Sequence, residues 1–251
     1  MIVLALSCMH VLTDAKVYQF NPAAAIKWQP LASGLYFTSC LTQCFFLSTE
    51  SILTAGTDGH TAVWPLNLDN NELSVGSSNP ASVLKWEQPL RIHQSSSKVM
   101  ASHAIDASAQ LMVSGGDDGS IAVLLMRRTT GALDTENVYA AWPVLLQRTH
   151  ASAVTACAIV QHEGRIFILT TGNDQWLRLW EVTIHKADSM TPQTASAHGN
   201  DTLDISRLGK IKTNVADASS MAVVETKEAD ARVLICGVGM EVVRVEWDCA
   251  A

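Results

Sequence analysis

His93, Ser114 and Asp118 are the residue types of a base, a nucleophile and an orienting carboxylate, the set that carries out acyl transfer. That chemistry needs the hydroxyl on a sharp, accessible turn such as a G-x-S-x-G elbow, and Ser114 lies instead in Leu-Met-Val-Ser-Gly-Gly-Asp-Asp. The trio also recurs downstream as His150, Thr170 and Asp174. A catalytic centre is not rebuilt in each successive segment, so recurrence points to a structural use. Gly237-Val-Gly239 after an apolar run echoes a dinucleotide loop, but no third glycine and no helical pattern follow it. It reads as a hairpin turn.

The recurring residues sit in a recurring element. Ile52 to Trp64, Leu111 to Leu124 and Ile168 to Trp180 each consist of an apolar run, a hydroxyl residue, a Gly, an Asp and a second apolar run. Thr54, Ser114 and Thr170 precede the turn residues Asp58, Asp118 and Asp174 by the same offset, and Trp64, Leu124 and Trp180 follow them by another. His93 and His150 stand at nearly matched distances upstream of Asp118 and Asp174. A His, a hydroxyl, an Asp and a Trp at such offsets can join into one buried chain. The indole N–H donates to the hydroxyl, the hydroxyl meets the imidazole, and the imidazole donates to the carboxylate. The third copy (His150, Thr170, Asp174, Trp180) is complete. The second (His93, Ser114, Asp118) has Leu124 in place of the Trp, and the first (Thr54, Asp58, Trp64) has no evident His. A degenerate fourth copy, Val233 to Val245, keeps almost none of the set and is expected to rest on apolar packing alone.

Strand, tight turn and strand is what each copy encodes, and repetition at this period means an array of small sheets. The turns at 58, 118, 174 and 239 are spaced more widely than the roughly 40 to 45 residues of a four-stranded blade. The excess is assigned to polar inserted loops at Asn67 to Asn79, Arg127 to Asn137 and Ala187 to Asp204. Strand-like runs are Val99 to Ile105, Leu111 to Ser114, Ile121 to Met126 and Trp142 to Leu146, then Val154 to Val160, Arg165 to Thr170, Trp176 to Val182 and a weaker Ile205 to Ile211. Ala23 to Ile26 is the nearest approach to a helical pattern, and Pro22 and Pro30 bracket it. The fold class is therefore all-β.

The tetrad offsets resemble the WD-repeat β-propellers. The resemblance implies about four to five four-stranded blades in one domain over 1–251, with a degenerate blade at 1–40 and successive blades at 41–90, 91–148, 149–212 and 213–251. That number is at the low end for a closed ring and compatible with an incomplete one. Leu4 to Cys8 and Asp14 to Phe20 would belong to the degenerate blade, and Met1 to Leu6 is a candidate to complete the last one.

Longer stretches are similar to one subfamily: His93-Gln-Ser-Ser-Ser, Ser114 to Ser120, Asn214 to Ala218, and Gly237 to Trp247 with Gly-Met-Glu-Val in place of an Asp turn. They resemble the C-terminal region of the large WD-repeat partner of the tRNA wobble-position 2′-O-ribose methyltransferase. The resemblance spans most of 45–248, and family members are several times longer. It implies a non-catalytic scaffold in the cytoplasm that binds the methyltransferase, tRNA or both, with any tRNA contact expected through the complex. The alternative is a generic WD-repeat adaptor in trafficking or ubiquitin-ligase assembly.

Bulk properties agree with a binding array rather than a nucleic-acid binder or a metalloenzyme. The 251 residues are 48% hydrophobic with a net charge of −7, whereas electrostatic capture of RNA calls for a basic face. The basic groupings Arg127-Arg128 and Lys210 to Lys212 are short and read as solvated charge; Arg127, Arg128, Arg148 and Lys186 are the candidate contact residues. Cys8, Cys40, Cys44, Cys157, Cys236 and Cys249 follow no disulfide or zinc spacing and read as free thiols of a reducing compartment. No cofactor or metal motif is present. Met1 to Cys8 lacks the basic n-region of a leader and is too short to span a bilayer, so it reads as a buried strand without membrane insertion.

Overall fold

The computed structural model describes residues 2–6, 14–20, 28–35, 40–48, 51–65, 82–83, 87–106, 109–130, 137–140, 143–186 and 201–247. The chain divides into two compact units, Met1–Lys98 and Val99–Ala251. All regular structure among the described residues is β-strand.

In the N-terminal unit, β1 (Ile2–Leu6), β2 (Asp14–Phe20) and β3 (Trp28–Leu35) form an antiparallel meander. A second meander consists of β4 (Leu41–Ser48), β5 (Ser51–Gly56), β6 (His60–Pro65) and, beyond β7 (Ser82–Val83), β8 (Glu87–Arg91). The short β7 joins the first sheet instead, parallel to β3. Met1 to Leu6 thus contributes β1, paired with β2 in the first sheet. Ala23 to Ile26 and Asn67 to Asn79 lie outside the described residues.

The C-terminal unit holds three sheets. The third contains β9 (Ser97–Ala104), β10 (Ala109–Gly116), β11 (Ile121–Thr130) and β12 (Asn137–Ala140), with β13 (Val144–Leu146) also pairing β11. The fourth contains β14 (Val154–His162), β15 (Arg165–Gly172), β16 (Trp176–His185) and β17 (Thr202–Lys212). The last is β18 (Ala216–Thr226) on β19 (Asp230–Glu246). An extended strand the length of β19 would separate its ends by about 50 Å. Trp247 N nevertheless donates to Ala229 O at 3.1 Å. The element therefore doubles back on itself at Gly237–Gly239, where Gly239 has φ +102, giving this sheet a third arm.

Two of the polar insertions are partly strand. Arg127–Thr130 pairs with Asn137–Ala140, so the first residues of the segment read as loop extend β11 into a hairpin. Thr202–Asp204 likewise belongs to β17. Composition missed both because backbone pairing of Thr, Val and Tyr does not require apolar alternation. Trp142 lies outside the described residues, and the strand expected from it begins at Val144.

The second strands β5, β10 and β15 are buried almost throughout, in contrast to the alternating edge strand β17. A strand packed on both faces has no side to leave polar, which is why Ile-Phe-Ile-Leu reads as an unbroken apolar run. The two faces of the fourth sheet feed different cores. Ile166, Ile168, Trp180 and Val182 pack with Val99, Leu111, Val113 and Val123 of the third sheet. Phe167, Leu169, Leu177 and Leu179 pack with Val233, Ile235, Val243, Val245 and Trp247 of the last. Phe167 and Trp247 stack at 4.6 Å.

Hydroxyls at matching bulges tie one sheet to the next. Thr42 falls at the register shift between Leu41 and Gln43, and its Oγ1 donates to Ser97 O at 2.8 Å. Thr155 falls at the shift between Val154 and Ala156, and its Oγ1 donates to Ala218 O. The last sheet thus has polar ties besides its apolar packing, as do Asn214 N to Glu241 Oε2 at 2.7 Å and Trp247 Nε1 to Lys227 O at 3.2 Å.

The turn of the third sheet backs directly onto the entry to the fourth. Gly119 has φ +74, its carbonyl accepts from His150 N at 2.9 Å, and a Cβ there would stand 2.3 Å from His150 O. Gly164 has a similar φ of +78 but faces open space. Gly164→Ala should therefore cost only the left-handed backbone penalty, about 1 kcal/mol. Gly119→Ala carries the same penalty plus a backbone collision, and its urea midpoint should drop by at least twice as much. Equal losses in the two variants would refute the close approach.

Candidate functional site

The turn carboxylates do the same local work in all three copies. Asp58 Oδ1 accepts from His60 N at 3.1 Å, Asp118 Oδ1 from Ser120 N at 2.9 Å, and Asp174 Oδ1 from Trp176 N at 3.2 Å. This side-chain-to-backbone bond two residues on closes the turn without any further partner. It is reason enough for an Asp at each position.

Beyond the turn the copies differ. In the second sheet Trp64 Nε1 donates to Thr54 Oγ1 at 2.8 Å, both buried, and Asp58 lies 3.4 Å from His60 Nδ1. In the third sheet Ser114 and Leu124 are buried and Asp118 is exposed. His93 is buried in the N-terminal unit, whereas Ser114 and Asp118 belong to the C-terminal one.

The fourth sheet brings His150, Thr170, Asp174 and Trp180 together. Trp180 Nε1 donates to Thr170 Oγ1 at 3.1 Å, Thr170 Oγ1 lies 2.9 Å from His150 Nε2, and His150 Nδ1 lies 3.0 Å from Asp174 Oδ1. Strand register explains the first contact: Ile168 pairs with Trp180 and Thr170 with Arg178, so all four side chains share one face. Ala151 N adds a bond to Asp174 Oδ2 at 3.1 Å. Thr170 is 0% and His150 2% exposed, so no substrate reaches either.

Arg178 is a member that the repeat did not announce. Its Nη1 lies 2.9 Å from Asp174 Oδ2 and 2.5 Å from His150 Nδ1, and the residue is 8% exposed. Nδ1 cannot donate to Asp174 and accept from Arg178 at once. The proton belongs on Nδ1, facing the carboxylate. Nε2 then accepts from the Thr170 hydroxyl, whose oxygen takes the indole N–H, and every donor is used once. Nothing in the spacing signals Arg178, since a single Arg within a strand pattern reads as solvated charge.

Protonation follows from these contacts. Burial lowers the His150 pKa, aided by the Arg178 charge and opposed by the bond to Asp174, so the ring is neutral. Burial raises Asp174, but the bonds from His150 and Ala151 N and the Arg178 guanidinium outweigh it and bring the carboxyl down to about 2. Cys157 is pushed up to about 12 by burial, which makes it an inert thiol. Cys40, Cys44, Cys157 and Cys236 are all free. Among the described residues no group of three His, Cys, Asp or Glu side chains could hold a metal ion, and no helix is long and apolar enough to cross a membrane.

Of the sequence-derived contact residues, Arg148 and Lys186 are exposed, while Arg127 and Arg128 lie on β11. The same face of the fourth sheet carries a grouping that solvated charge does not describe. Lys210 Nζ lies 4.5 Å and Lys212 Nζ 5.5 Å from the Trp176 ring centroid.

Residues 143–181, which contain His150, Thr170, Asp174 and Trp180, match the family model of the WD domain, G-beta repeat. No curated protein matches the chain. Among solved structures, the WD40 beta propeller domain of Doa1 is similar with a TM-score of 0.51 and 14% identity, over 89% of this chain and 54% of that one. The computationally designed Ika4 protein is similar with a TM-score of 0.49 and 17% identity, over 87% and 98% respectively. The fold is an all-β WD-repeat propeller architecture of about four to five blades.

Thr170→Val should strand the indole N–H and the imidazole together, at a cost of about 2–4 kcal/mol in urea unfolding. Thr170→Ser keeps the hydroxyl and should cost less than half as much. The pH dependence has a fixed sign. A His whose pKa is depressed in the fold stabilises fully above its unfolded value, about 6.5, and loses that contribution as pH falls below it. Asp174 stabilises fully above about 4 and loses its share as pH falls toward 2. Urea midpoints should therefore decline in two stages on acidification, and Asp174→Asn should remove the lower stage.

Proposed function

We propose that this chain is a non-catalytic docking platform and, more narrowly, a scaffold for tRNA wobble 2′-O-ribose methylation that binds the methyltransferase and, through it, tRNA. The observation that carries the first part is the fate of the would-be catalytic groups. In the fourth sheet the hydroxyl, imidazole and carboxylate are engaged with Trp180, Arg178 and backbone, and the hydroxyl is sealed from solvent. A nucleophile that no substrate can reach has only a structural role, and His150, Thr170, Asp174 and Trp180 are assigned that role here. An array whose polar residues are spent on holding its sheets in place offers its surface to other macromolecules.

The narrower part is supported by the resemblance of His93 to Ser97, Ser114 to Ser120, Asn214 to Ala218 and Gly237 to Trp247 to the partner subunit described above. The least generic of these is the last, where the hairpin at Gly237–Gly239 turns without an Asp. The net charge of −7 favours contact with the enzyme over direct capture of tRNA. Tagged chain should co-purify a methyltransferase, and deletion of its gene should remove the wobble ribose mark. An intact mark in the deletion strain, with sorting or ubiquitin-ligase subunits in the purification, would replace this reading with the generic adaptor.

A further inference from the structure

We infer that Trp176, Lys210 and Lys212 form a docking site for an acidic, extended segment of a partner protein, one carrying Asp or Glu at alternate positions. The inference rests on the docking-platform reading but not on methylation.

Pairing of β16 with β17 sets Trp176 opposite Lys212 and Arg178 opposite Lys210. Residues of one parity share a face, so three cations and one indole occupy a single patch at the end of the fourth sheet. Asp174 offsets Arg178, so the two lysine ammonium groups carry the net charge of the patch and repel one another. The indole face holds both ammonium groups, an arrangement worth on the order of 0.5–1 kcal/mol at an exposed site. The nearby carboxylate, Asp174, is already engaged by Arg178, His150 and Ala151 N. Lys212 Nζ is also held by Asp174 O at 3.2 Å and Gln175 Oε1 at 3.1 Å, which leaves one of its three N–H groups for a ligand. Among the described residues Lys210 has no ion pair, and the buried Arg178 Nε has no hydrogen-bond partner. In a chain with a net charge of −7 this cluster goes against the overall balance and calls for an anion.

The kind of anion follows from geometry. Single-stranded RNA binds by stacking bases on open aromatic faces. Here ammonium groups lie over the Trp176 ring, so what the patch offers is N–H donors. Lys210 and Lys212 are two residues apart on one strand, a spacing of about 7 Å, which is also the spacing of alternate side chains on an extended peptide. Carboxylates at alternate positions would meet both lysines.

The test uses the full chain and a fluorescein-labelled peptide of alternating Glu and Ser, followed by fluorescence anisotropy at low ionic strength. Peptide should bind, and added salt should weaken the binding. Lys210→Glu should weaken it about tenfold, a reversed charge at such a contact being worth roughly that factor. Lys210→Arg should retain it, and Lys227→Glu, an exposed control charge on the last sheet, should leave it unchanged. Urea midpoints of the variants report folding separately. Absence of peptide binding by the parent chain, or equal binding by Lys210→Glu, would overturn the assignment. So would an oligouridine that binds more tightly than the peptide and is lost with Lys210→Glu. Loss of the methylation reading in a deletion strain would leave this site standing.

Discussion

The fourth sheet depends on the hydroxyl of Thr170. It is the point at which both inner strands and the segment entering the sheet meet, through Trp180, Thr170 itself and His150. Each of these groups is buried, and each would cost more unbonded than its bond contributes when made. The network therefore acts as a register lock. A slip of β16 by one residue would turn Trp180 toward the wrong core and leave three polar groups without partners at once. Apolar packing alone tolerates such slips far better, because Leu and Ile lose little by exchanging neighbours.

The sheets are held by different sets of contacts. The fourth sheet has the full set plus Arg178, and the second has the Trp–Thr bond. The last sheet dispenses with the set and relies on Phe167 stacked on Trp247, Val233, Ile235, Val243 and Val245, and a few side-chain-to-backbone bonds. The turn Asp persists in three copies because closing the turn requires it locally, whatever else is present.

Much of the architecture was legible because two periods coincide in the sequence: alternation within strands and recurrence of the Gly-Asp turn between them. Val154–His162, Arg165–Gly172 and Trp176–His185 begin where that pattern puts them and run two or three residues past its apolar ends. What stayed hidden is governed by edges and bulges. Arg127–Thr130 and Asn137–Ala140 are polar, yet pair, because an edge hairpin needs backbone bonds and not apolar faces. Thr42 and Thr155 gave no signal, since their role arises from a register shift that has no sequence signature. Arg178 and the lysines at Trp176 were equally silent. Charge in a sequence carries a sign but no direction, and only the pairing of β16 with β17 put these residues on one face.

The bulge hydroxyls have a consequence for how the molecule comes apart. Thr155 reaches Ala218, so within the C-terminal unit the fourth sheet is stitched to the last while its other face packs on the third. Coupling of this kind resembles a row of dominoes more than a single block. Within each unit, amide exchange should spread outward from whichever sheet opens first, with cooperativity decaying over one sheet-to-sheet step.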